Sequence, residues 1–315
     1  MSVQYPTPSQ PLKIGTRGSP LALAQAYETR MRLGQAFDLQ FEAFEIVVIK
    51  TTGDRVLDRP LKDIGGKGLF TREIEAALLR GEIDIAVHSM KDMPVDQPSG
   101  LVLDTYLPRE DVRDAFISPR VSGLAELSQG AVVGTSSLRR RAQLLLRRPD
   151  LQVVEFRGNM QTRLKKLDDG VAEATFLAMA GLNRMKIPNV PMTPIDVDDM
   201  LPAVAQGAIG IERRLDDNAM ADMLTAIHDR PTGQRLAAER AFLTDLDGSC
   251  ETPIAGLAEL DGSNLRLRGE VLRPDGSESI TDDVTVSIAD GAAAGSAMAK
   301  KLLSEAGAGF FDWRS

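Results

Sequence analysis

Short apolar runs and longer segments with apolar residues at helical spacing alternate through the first two thirds of the chain. Residues 131–133 form one apolar run, followed by a helical segment from Leu138, and residues 83–87 form another, preceded by a helical segment at 70–81. Such runs are typical of strands buried on both faces. Their alternation with helices predicts an α/β fold with parallel sheets covered by helices.

Two stretches of the chain resemble each other. Residues 14–21 and 133–138 both predict a strand, a Gly-Thr turn, a hydroxyl N-cap and a helix. In the first stretch, Ser19 is the expected N-cap and Pro20 the first helical residue. A looser pair, 70–87 and 162–178, repeats a helix followed by a strand. The chain is therefore predicted to contain two similar α/β halves.

The last third has a different pattern. Three short strands are predicted at 253–259, 265–272 and 279–288, between a helix at 233–244 and a closing helix at 291–306. This order predicts a small α+β domain. The expected domains are 1–107 with 208–225, then 113–201, then 230–315.

The composition is that of an ordinary globular protein, with 43% hydrophobic and 26% charged residues among 315. The polar start and the absence of a membrane-length apolar run predict a cytoplasmic protein without a membrane partner. One cysteine excludes an internal disulfide, and two histidines leave little for a zinc site, so no metal is expected. A net charge of −8 with 4% aromatic residues argues against general nucleic-acid binding.

Arginines are concentrated in one part of this acidic chain. Seven fall within residues 139–163: Arg139, Arg140, Arg141, Arg147, Arg148, Arg157 and Arg163. Arg139 and Arg140 open a predicted helix, where a cation opposes the helix dipole at a cost of roughly 0.3–1 kcal/mol per charge. A bound anion would reverse that cost, so the placement predicts an anionic ligand. A solvated basic helix face is the alternative, and it is preferred for Arg147 and Arg148.

Polar loops follow the predicted strands at their carboxyl ends, where α/β sheets bind ligands. Besides the two Gly-Thr turns, the loop 88–92 follows the strand 83–87. These loops are expected to face one cleft between the halves. Asp92 and Asp54 are the candidate acids for proton exchange, with a solvated turn aspartate as the alternative. Ser89 beside His88 suggests a hydrolase, but no Gly-x-Ser-x-Gly elbow is present.

Two further segments carry candidate chemistry. Cys250 lies in the polar loop 247–253, which favours an accessible thiol that is a nucleophile or a covalent attachment point; a structural cysteine is the alternative. Residues 53–68 contain several glycines but lack the Ser or Thr that follows Lys in a phosphate loop. A mobile loop over the cleft is the expected structure.

Six motifs, taken in order, closely resemble the porphobilinogen deaminases, also called hydroxymethylbilane synthases. They are Gly-Thr-Arg-Gly-Ser-Pro-Leu-Ala at 15–22, Gly-Gly-Lys-Gly-Leu-Phe at 65–70, Ile-Ala-Val-His-Ser-Met-Lys-Asp at 85–92, Val-Gly-Thr-Ser-Ser-Leu-Arg-Arg at 133–140, Arg-Gly-Asn at 157–159 and Gly-Ser-Cys at 248–250. The resemblance covers nearly the whole chain. It implies two periplasmic-binding-protein-like α/β domains around a cleft, plus a small C-terminal α+β domain.

The resemblance also implies an activity. Cys250 would carry a dipyrromethane cofactor through a thioether, and four porphobilinogen molecules would be added, each losing ammonia. Asp92 would be catalytic, assisting departure of the amine and stabilising the cationic azafulvene. Water would release the linear tetrapyrrole hydroxymethylbilane. The enzyme would be a monomer that passes its product to uroporphyrinogen III synthase.

The matching motif positions imply a set of site residues. Cofactor-binding residues would be Cys250, Lys91, Ser89, Asp92, Thr135, Ser137, Arg139, Arg140, Arg163 and Arg184. Substrate-binding residues would be Arg17, Ser19, Ser136, Arg157, Lys67 and Phe70. Four positions depart from the expected pattern: Asp63, Glu173, Ala205 and Ser249.

A binding module is the competing hypothesis, because two α/β halves around a cleft also occur in solute-binding and effector-binding domains that perform no chemistry. A solute-binding protein would need export, and a regulator would usually add a helix-turn-helix; neither is found in the sequence. Intact mass separates the hypotheses, since only the enzyme would be heavier than its sequence by two pyrrole units.

Overall fold

A computed structural model of the chain describes residues 5–55, 68–246, 252–307 and 309–314. Cys250, Ser249, Lys67 and Asp63 lie outside the described residues, and at Asp54 the backbone alone is described. The strands in the described part are β1 Leu12–Thr16, β2 Phe44–Val48, β3 Ile85–Ser89, β4 Leu101–Tyr106, β5 Asp114–Ile117, β6 Val132–Gly134, β7 Gln152–Val154, β8 Ala174–Ala178, β9 Met192–Pro194, β10 Ile209–Arg214, β11 Ile254–Asp261, β12 Asn264–Leu272 and β13 Ser279–Ser287.

The helices enclose these strands. In the described residues they are α1 Pro20–Phe37, α2 Thr52–Arg55, α3 Arg72–Leu79, α4 Leu138–Arg147, α5 Met160–Asp168, α6 Met179–Met185, α7 Asn218–Thr225, α8 Arg230–Asp245 and α9 Gly291–Glu305. None of them is both long and apolar enough to cross a membrane. The chain divides into two compact units, one formed by Met1–Arg109 with Ala208–Gly233 and the other by Glu110–Gly207 with Gln234–Ser315.

Each unit contains one five-stranded sheet, and the two sheets have corresponding strand orders. The order is β2-β1-β3-β10-β4 in the first unit and β7-β6-β8-β5-β9 in the second. In each, the three strands at one side are parallel, whereas β10 and β5 run antiparallel to both of their neighbours. The prediction of two similar α/β halves is confirmed, but the prediction of parallel sheets is wrong for these strands. An apolar run reports burial on both faces and carries no information on strand direction.

Both sheets bury apolar side chains on their two faces. In β5, Phe116 packs into one cluster with Val133 and Phe176, while Ala115 and Ile117 pack into another with Phe156. This alternation follows from the period of two residues in a strand. The first sheet is divided in the same way, because its residues belong to two separate buried clusters.

The two Gly-Thr turns have the predicted local structure. Ser19 caps α1 by accepting a hydrogen bond from the Ala22 amide at 3.3 Å, and Pro20 is the first residue of that helix. Ser137 caps α4 by accepting from the Arg140 amide at 3.4 Å. These caps fix the helix starts directly beyond the carboxyl ends of β1 and β6.

The small C-terminal domain is an antiparallel sheet, β11-β12-β13, packed against α8 and α9. The two helices approach very closely, since a Cβ atom at Gly295 of α9 would lie 2.2 Å from the Ala238 carbonyl oxygen of α8. The predicted fold class, two similar α/β domains and a C-terminal α+β domain, is confirmed. The domain boundaries given by the sequence stay a prediction.

Candidate active site

A cavity of about 70 Å³ lies in the first unit, next to the carboxyl ends of β1 and β3. Five residues that the sequence selected line this cavity: Arg17, Ser19, Phe70, Ser89 and Asp92. They come from three separate segments, which the parallel pairing of β1 with β3 brings to one edge of the sheet. The structure therefore assembles the first-unit part of the predicted site.

Arg17 and Phe70 are in direct contact within this cavity. The guanidinium carbon of Arg17 lies 4.0 Å from the centroid of the Phe70 ring, a cation–π geometry. The Phe70 ring also packs against the backbone of Gly53, where an added Cβ would lie 2.2 Å from a ring carbon. A glycine is therefore required for the ring to occupy this position.

Gln25 of α1 fixes the Ser89 hydroxyl. The Gln25 amide donates to Ser89 Oγ at 2.7 Å, and Ser89 Oγ lies 3.0 Å from Gln25 Oε1. Gln25 is buried and lines the same cavity. The sequence analysis did not select it. The repeat between the two halves could have indicated Gln25. Gln143 follows the N-cap of α4 at the same spacing as Gln25 follows the N-cap of α1, and both side chains are buried.

Lys91 and Asp92 lie in a short 3-10 helix, Met90–Asp92, that follows β3. Met90 anchors this helix, since its amide donates to the Ala208 carbonyl at 3.0 Å and its side chain is buried. Gly210 of β10 leaves room for that side chain, because a Cβ there would lie 2.1 Å from Met90 Sδ. Asp92 itself is exposed and lines the cavity, so its carboxylate is fixed in position and accessible.

The second Gly-Thr turn, in the second unit, presents three hydroxyl groups. Thr135 Oγ1 accepts from the Ser137 amide at 3.2 Å, and Ser136 Oγ accepts from the Phe156 amide at 3.0 Å. Ser137 Oγ caps α4. Since all three oxygens act as acceptors here, each hydroxyl keeps its own O–H to donate to another acceptor.

Arg139 and Arg140 are buried and paired with one carboxylate, Asp114. Each contributes an Nη2 atom 2.7 Å from an Asp114 oxygen. Burial alone would raise the pKa of Asp114, but the two guanidinium charges and the hydrogen bonds from Arg140 and Gln206 hold it well below its usual range. The Asp114 carboxylate thus offsets, within the fold, the positive charge at the start of α4. The helix-dipole argument for a bound anion fails at these two residues, and their role toward the cofactor stays a prediction.

The other arginines of the cluster have different surroundings. Arg148 binds Asp150 at 2.8 Å and the Leu124 carbonyl at 2.7 Å, so it holds the local fold together and is not simply solvated. Arg163 donates to the Gly158 carbonyl at 3.0 Å. Arg184, which lies outside the cluster, donates to the Gly207 carbonyl at 3.1 Å. Both are partly exposed.

Two members of the cluster have a buried donor without a hydrogen-bond partner within the described residues, Arg157 at Nη1 and Arg139 at Nε. Arg139 is also paired with Asp114 through its Nη2 atom. A buried guanidinium nitrogen without an acceptor is unfavourable by roughly 1–3 kcal/mol or more, and a carboxylate ligand would remove that penalty.

Each unit by itself presents guanidinium groups and hydroxyls, groups that can bind carboxylates, and the first unit also presents the exposed carboxylate of Asp92. The family model described as "Porphobilinogen deaminase, dipyromethane cofactor binding domain" matches residues 12–222. The model "Porphobilinogen deaminase, C-terminal domain" matches residues 234–304.

Curated proteins similar to this chain have the same family name. A porphobilinogen deaminase of Paracoccus denitrificans is 68% identical over 310 residues, covering 98% of this chain and 99% of that protein. A chloroplastic porphobilinogen deaminase of Pisum sativum is 53% identical, covering 96% and 83%. One of Nitrobacter hamburgensis is 52% identical, covering 95% and 94%.

Solved structures with a similar fold have low identity. A periplasmic VFT2 domain of Bordetella pertussis BvgS has a TM-score of 0.40 and 16% identity, covering 73% of this chain and 92% of that one. A periplasmic binding protein of Salmonella typhimurium has a TM-score of 0.40 and 14% identity, covering 70% and 92%.

The fold and the family models define a transferase that binds a dipyrromethane cofactor. The chain belongs to the porphobilinogen deaminase family. Its activity is that of a hydroxymethylbilane synthase, in tetrapyrrole biosynthesis. The resemblance given by the six sequence motifs is confirmed, and the binding-module hypothesis is set aside.

Proposed function

We propose that the first-unit cavity is where porphobilinogen reacts, with Asp92 as its catalytic residue. The supporting observation is that Asp92, Ser89 and Arg17 line one cavity at the ends of two adjacent parallel strands. Porphobilinogen carries an amine and two carboxylates. Arg17 and Ser19 offer a cation and a hydroxyl to the carboxylates, and Asp92 offers an anion to the amine.

Asp92 has two tasks in this proposal. As a carboxylate it stabilises positive charge that develops on the pyrrole nitrogen while ammonia departs. As a carboxyl group it also exchanges protons with the departing amine, so that the nitrogen leaves in its protonated form. Both tasks require a fixed position, which the anchored helix Met90–Asp92 provides through Met90. Ser89, oriented by Gln25, is a neighbouring hydrogen-bonding group.

The dipyrromethane cofactor, when bound, supplies the pyrrole carbon to which substrate units are added. We propose that it is attached at Cys250 and held by Lys91, Ser89, Asp92, Thr135, Ser137, Arg139, Arg140, Arg163 and Arg184. Porphobilinogen units would be held by Arg17, Ser19, Ser136, Arg157, Lys67 and Phe70.

The second-unit residues would act on the dipyrromethane cofactor in three ways. Arg157 has a buried donor without an acceptor in the described part of the chain, which supports direct binding of a carboxylate. Arg139, Arg140 and Asp114 together carry one net positive charge in a buried site, so they would act through their electrostatic potential. The free hydroxyl protons of Thr135 and Ser137 would donate to carboxylate oxygens.

We further propose that the chain works as a cytoplasmic monomer, without a membrane or nucleic-acid partner, and passes its product to uroporphyrinogen III synthase. The proposed domains are residues 1–107 with 208–225, 113–201 and 230–315. Size-exclusion chromatography with light scattering tests the oligomeric state; a mass near twice 34.1 kDa would contradict the monomer.

Intact mass spectrometry tests the attachment of the cofactor. The purified chain is expected to exceed its sequence mass by two pyrrole units, and Cys250→Ser is expected to have the bare sequence mass, because an alcohol is a far weaker nucleophile than a thiolate. Since the chain has one cysteine, no other thiol can replace it. Cys250→Ser that still carries the adduct would show that attachment lies elsewhere.

A further inference from the structure

A buried histidine and a buried glutamate lie beside the cavity, on neighbouring strands. His88 Nε2 of β3 is 3.2 Å from Glu212 Oε2 of β10, and His88 also lines the cavity. Their relative exposures are 5% and 0%. The antiparallel register pairs Glu212 with Ala86, two residues from His88, so both side chains point to the same face of the sheet.

A second buried carboxyl group lies close enough to the same pair for their charges to affect its pKa. Glu75 of α3 is 7% exposed. Burial raises the pKa of Glu75, and the nearby charge of Glu212 raises it further, while His88 and Arg72 act in the opposite direction. Two carboxyl groups and one imidazole therefore share a region with little water. We call these three residues, His88, Glu212 and Glu75, the proton cluster.

The proton cluster holds a proton because of this composition. With every group deprotonated it would carry two buried negative charges, and each buried charge without a partner is very unfavourable. One carboxylate oxygen, Glu212 Oε1, is buried without a hydrogen-bond partner within the described residues. A proton on the imidazole or on a carboxyl group lowers this cost.

The second unit surrounds a buried carboxylate with different partners, at another register position of its sheet. Its antiparallel strand β5 also contributes a buried carboxylate, Asp114, but there two permanently charged guanidinium groups surround it. Asp114 therefore stays ionised. In the first unit the partner of Glu212 is the imidazole of His88, a side chain that can both donate and accept a proton. The pair in the first unit can thus take part in proton exchange, whereas the guanidinium groups around Asp114 are donors only.

Other charged groups face the proton cluster from the surrounding elements. Arg72 lies on α3 with Glu75. Asp92, which follows β3, and Arg17, which follows β1, line the cavity together with His88. Glu212, at 3.2 Å, is the carboxylate in direct contact with the imidazole of His88.

We propose that His88, supported by Glu212 and Glu75, is a second proton-exchanging group of the active site, separate from Asp92. When a carbon–carbon bond forms between two pyrrole units, the attacking ring carbon must lose its hydrogen. That C–H bond breaks, its electron pair returns to the ring, and the imidazole of His88 takes the proton. The proton then passes to the ammonia released in the same condensation, which leaves as ammonium. His88 returns to its starting state after each condensation, and no further reactant is needed.

Histidine NMR tests the cluster without relying on turnover. The chain has two histidines, His88 and His228, so the spectrum of the holoenzyme with labelled histidine has two ring signals to assign. His228→Asn identifies them. In Glu212→Gln, the ring signals of His88 are expected to shift while those of His228 stay unchanged, because the contact of His88 Nε2 with a carboxylate is replaced by one with a neutral amide. Unchanged His88 signals would overturn the inference.

Turnover of porphobilinogen against pH tests the role in the reaction. In His88→Gln, kcat is expected to fall about tenfold or more, and one limb of the pH profile is expected to disappear while KM changes little. The matched control is His228→Asn, which also removes one imidazole; its Nδ1 accepts from the Tyr106 amide, and it does not line the cavity. The control is expected to keep the wild-type profile. If His88→Gln keeps it too, His88 does not exchange the proton.

A variant outside the cavity keeps the test decisive if His88→Gln does not fold or load its cofactor. Glu75→Gln and Glu212→Gln remove carboxyl groups that do not line the cavity. Glu212→Gln is expected to move the same limb toward lower pH, whereas Glu75→Gln is expected to move it less, because the raised pKa of Glu75 favours the neutral form of its carboxyl group. An unchanged profile of Glu212→Gln would overturn the inference. The inference about His88 rests on the proposed site, but the two can fail separately. If only the assignment of Asp92 is wrong, Asp92→Asn retains turnover, and Glu212→Gln still changes the NMR signal of His88.

Discussion

Arg140 donates two hydrogen bonds to one oxygen of Asp114, from Nε at 3.2 Å and from Nη2 at 2.7 Å. Its third nitrogen, Nη1, donates to the Phe176 carbonyl at 2.9 Å. Because α4, β5 and β8 meet at this guanidinium, Arg140 belongs to the core of the second unit as well as to the predicted cofactor site. Replacing Arg140 is therefore expected to lower the stability of the fold, in addition to any effect on ligand binding.

We expect Arg140→Leu to lower the free energy of unfolding by about 3–5 kcal/mol, the usual cost of breaking a buried ion pair from one side. From the sequence alone the fold would have been expected to persist unchanged. Urea unfolding of the wild type and the variant measures the difference. A loss below about 1 kcal/mol would show that Asp114 finds another partner.

Asp114 also gives a defined pH dependence. Because its folded-state pKa lies below the usual value of 3.8, its stabilisation is complete above that value and is lost as the pH falls below it. The difference in unfolding free energy between the wild type and Asp114→Asn should therefore be largest at neutral pH, where the variant is the less stable protein. The difference should become smaller in acid. Unfolding free energies of both proteins between pH 7 and about pH 3 test this.

Asp92→Asn keeps the size of the side chain and removes its charge. We expect turnover to fall at least about a hundredfold, because general acid–base catalysis contributes about 10²–10⁴-fold and charge stabilisation adds to it. Asp92→Glu, which keeps a carboxylate, is the control and should retain part of the activity. Near wild-type turnover of Asp92→Asn would make Asp92 an ordinary turn residue and direct attention to Asp54.

Gln25→Leu removes both hydrogen bonds to Ser89 at similar side-chain volume. We expect kcat/KM to fall about three- to tenfold, which corresponds to a net hydrogen-bond contribution of about 1 kcal/mol. If Gln25 acts by orienting Ser89, the double variant Gln25→Leu with Ser89→Ala should be little worse than Ser89→Ala alone. Fully additive losses would instead assign Gln25 an independent role.

Ala205 adopts a left-handed backbone conformation, with φ of 61°, and is buried. A non-glycine residue there is strained by roughly 1–2 kcal/mol, and glycine was the residue expected at this position. We expect Ala205→Gly to raise the unfolding free energy by about 0.5–1 kcal/mol, after the entropy cost of glycine in the unfolded chain. Ala208→Gly, at a buried position without positive φ, should be destabilising. Equal effects of the two changes would contradict the strain argument.

The contribution of Glu75 to stability is expected to depend on pH in the opposite sense to that of Asp114. Its raised pKa means that the folded protein binds a proton more tightly than the unfolded chain, so this contribution to stability is present below the usual value of 4.5 and is lost as the pH rises. Glu75→Gln should therefore gain stability relative to the wild type between about pH 5 and pH 8. Parallel stability curves for the two proteins would mean that Glu75 is ionised throughout.

The sequence predicted much of the local structure. The capping serines Ser19 and Ser137, the helices that follow them and the three C-terminal strands depend on neighbouring residues, whose preferences can be read directly. The motifs also indicated the family, and they selected five residues that line one cavity. The sequence did not indicate strand direction in β5 and β10, because burial on both faces gives the same apolar run in either direction.

By itself, then, the sequence determined the α/β class, the repeat, the family and the chemical groups of the site. Only the tertiary structure decided which charges meet. Asp114 lies 25 residues before Arg139 in the chain and Glu212 lies 124 after His88, yet each pair is in contact and buried. Such pairings depend on strands that become neighbours when the sheet forms. The formation of the sheet therefore determines whether an arginine pairs with a carboxylate of the protein or can bind one of a ligand. The reason is that the Coulomb energy depends on distance in space and on burial, not on separation along the chain.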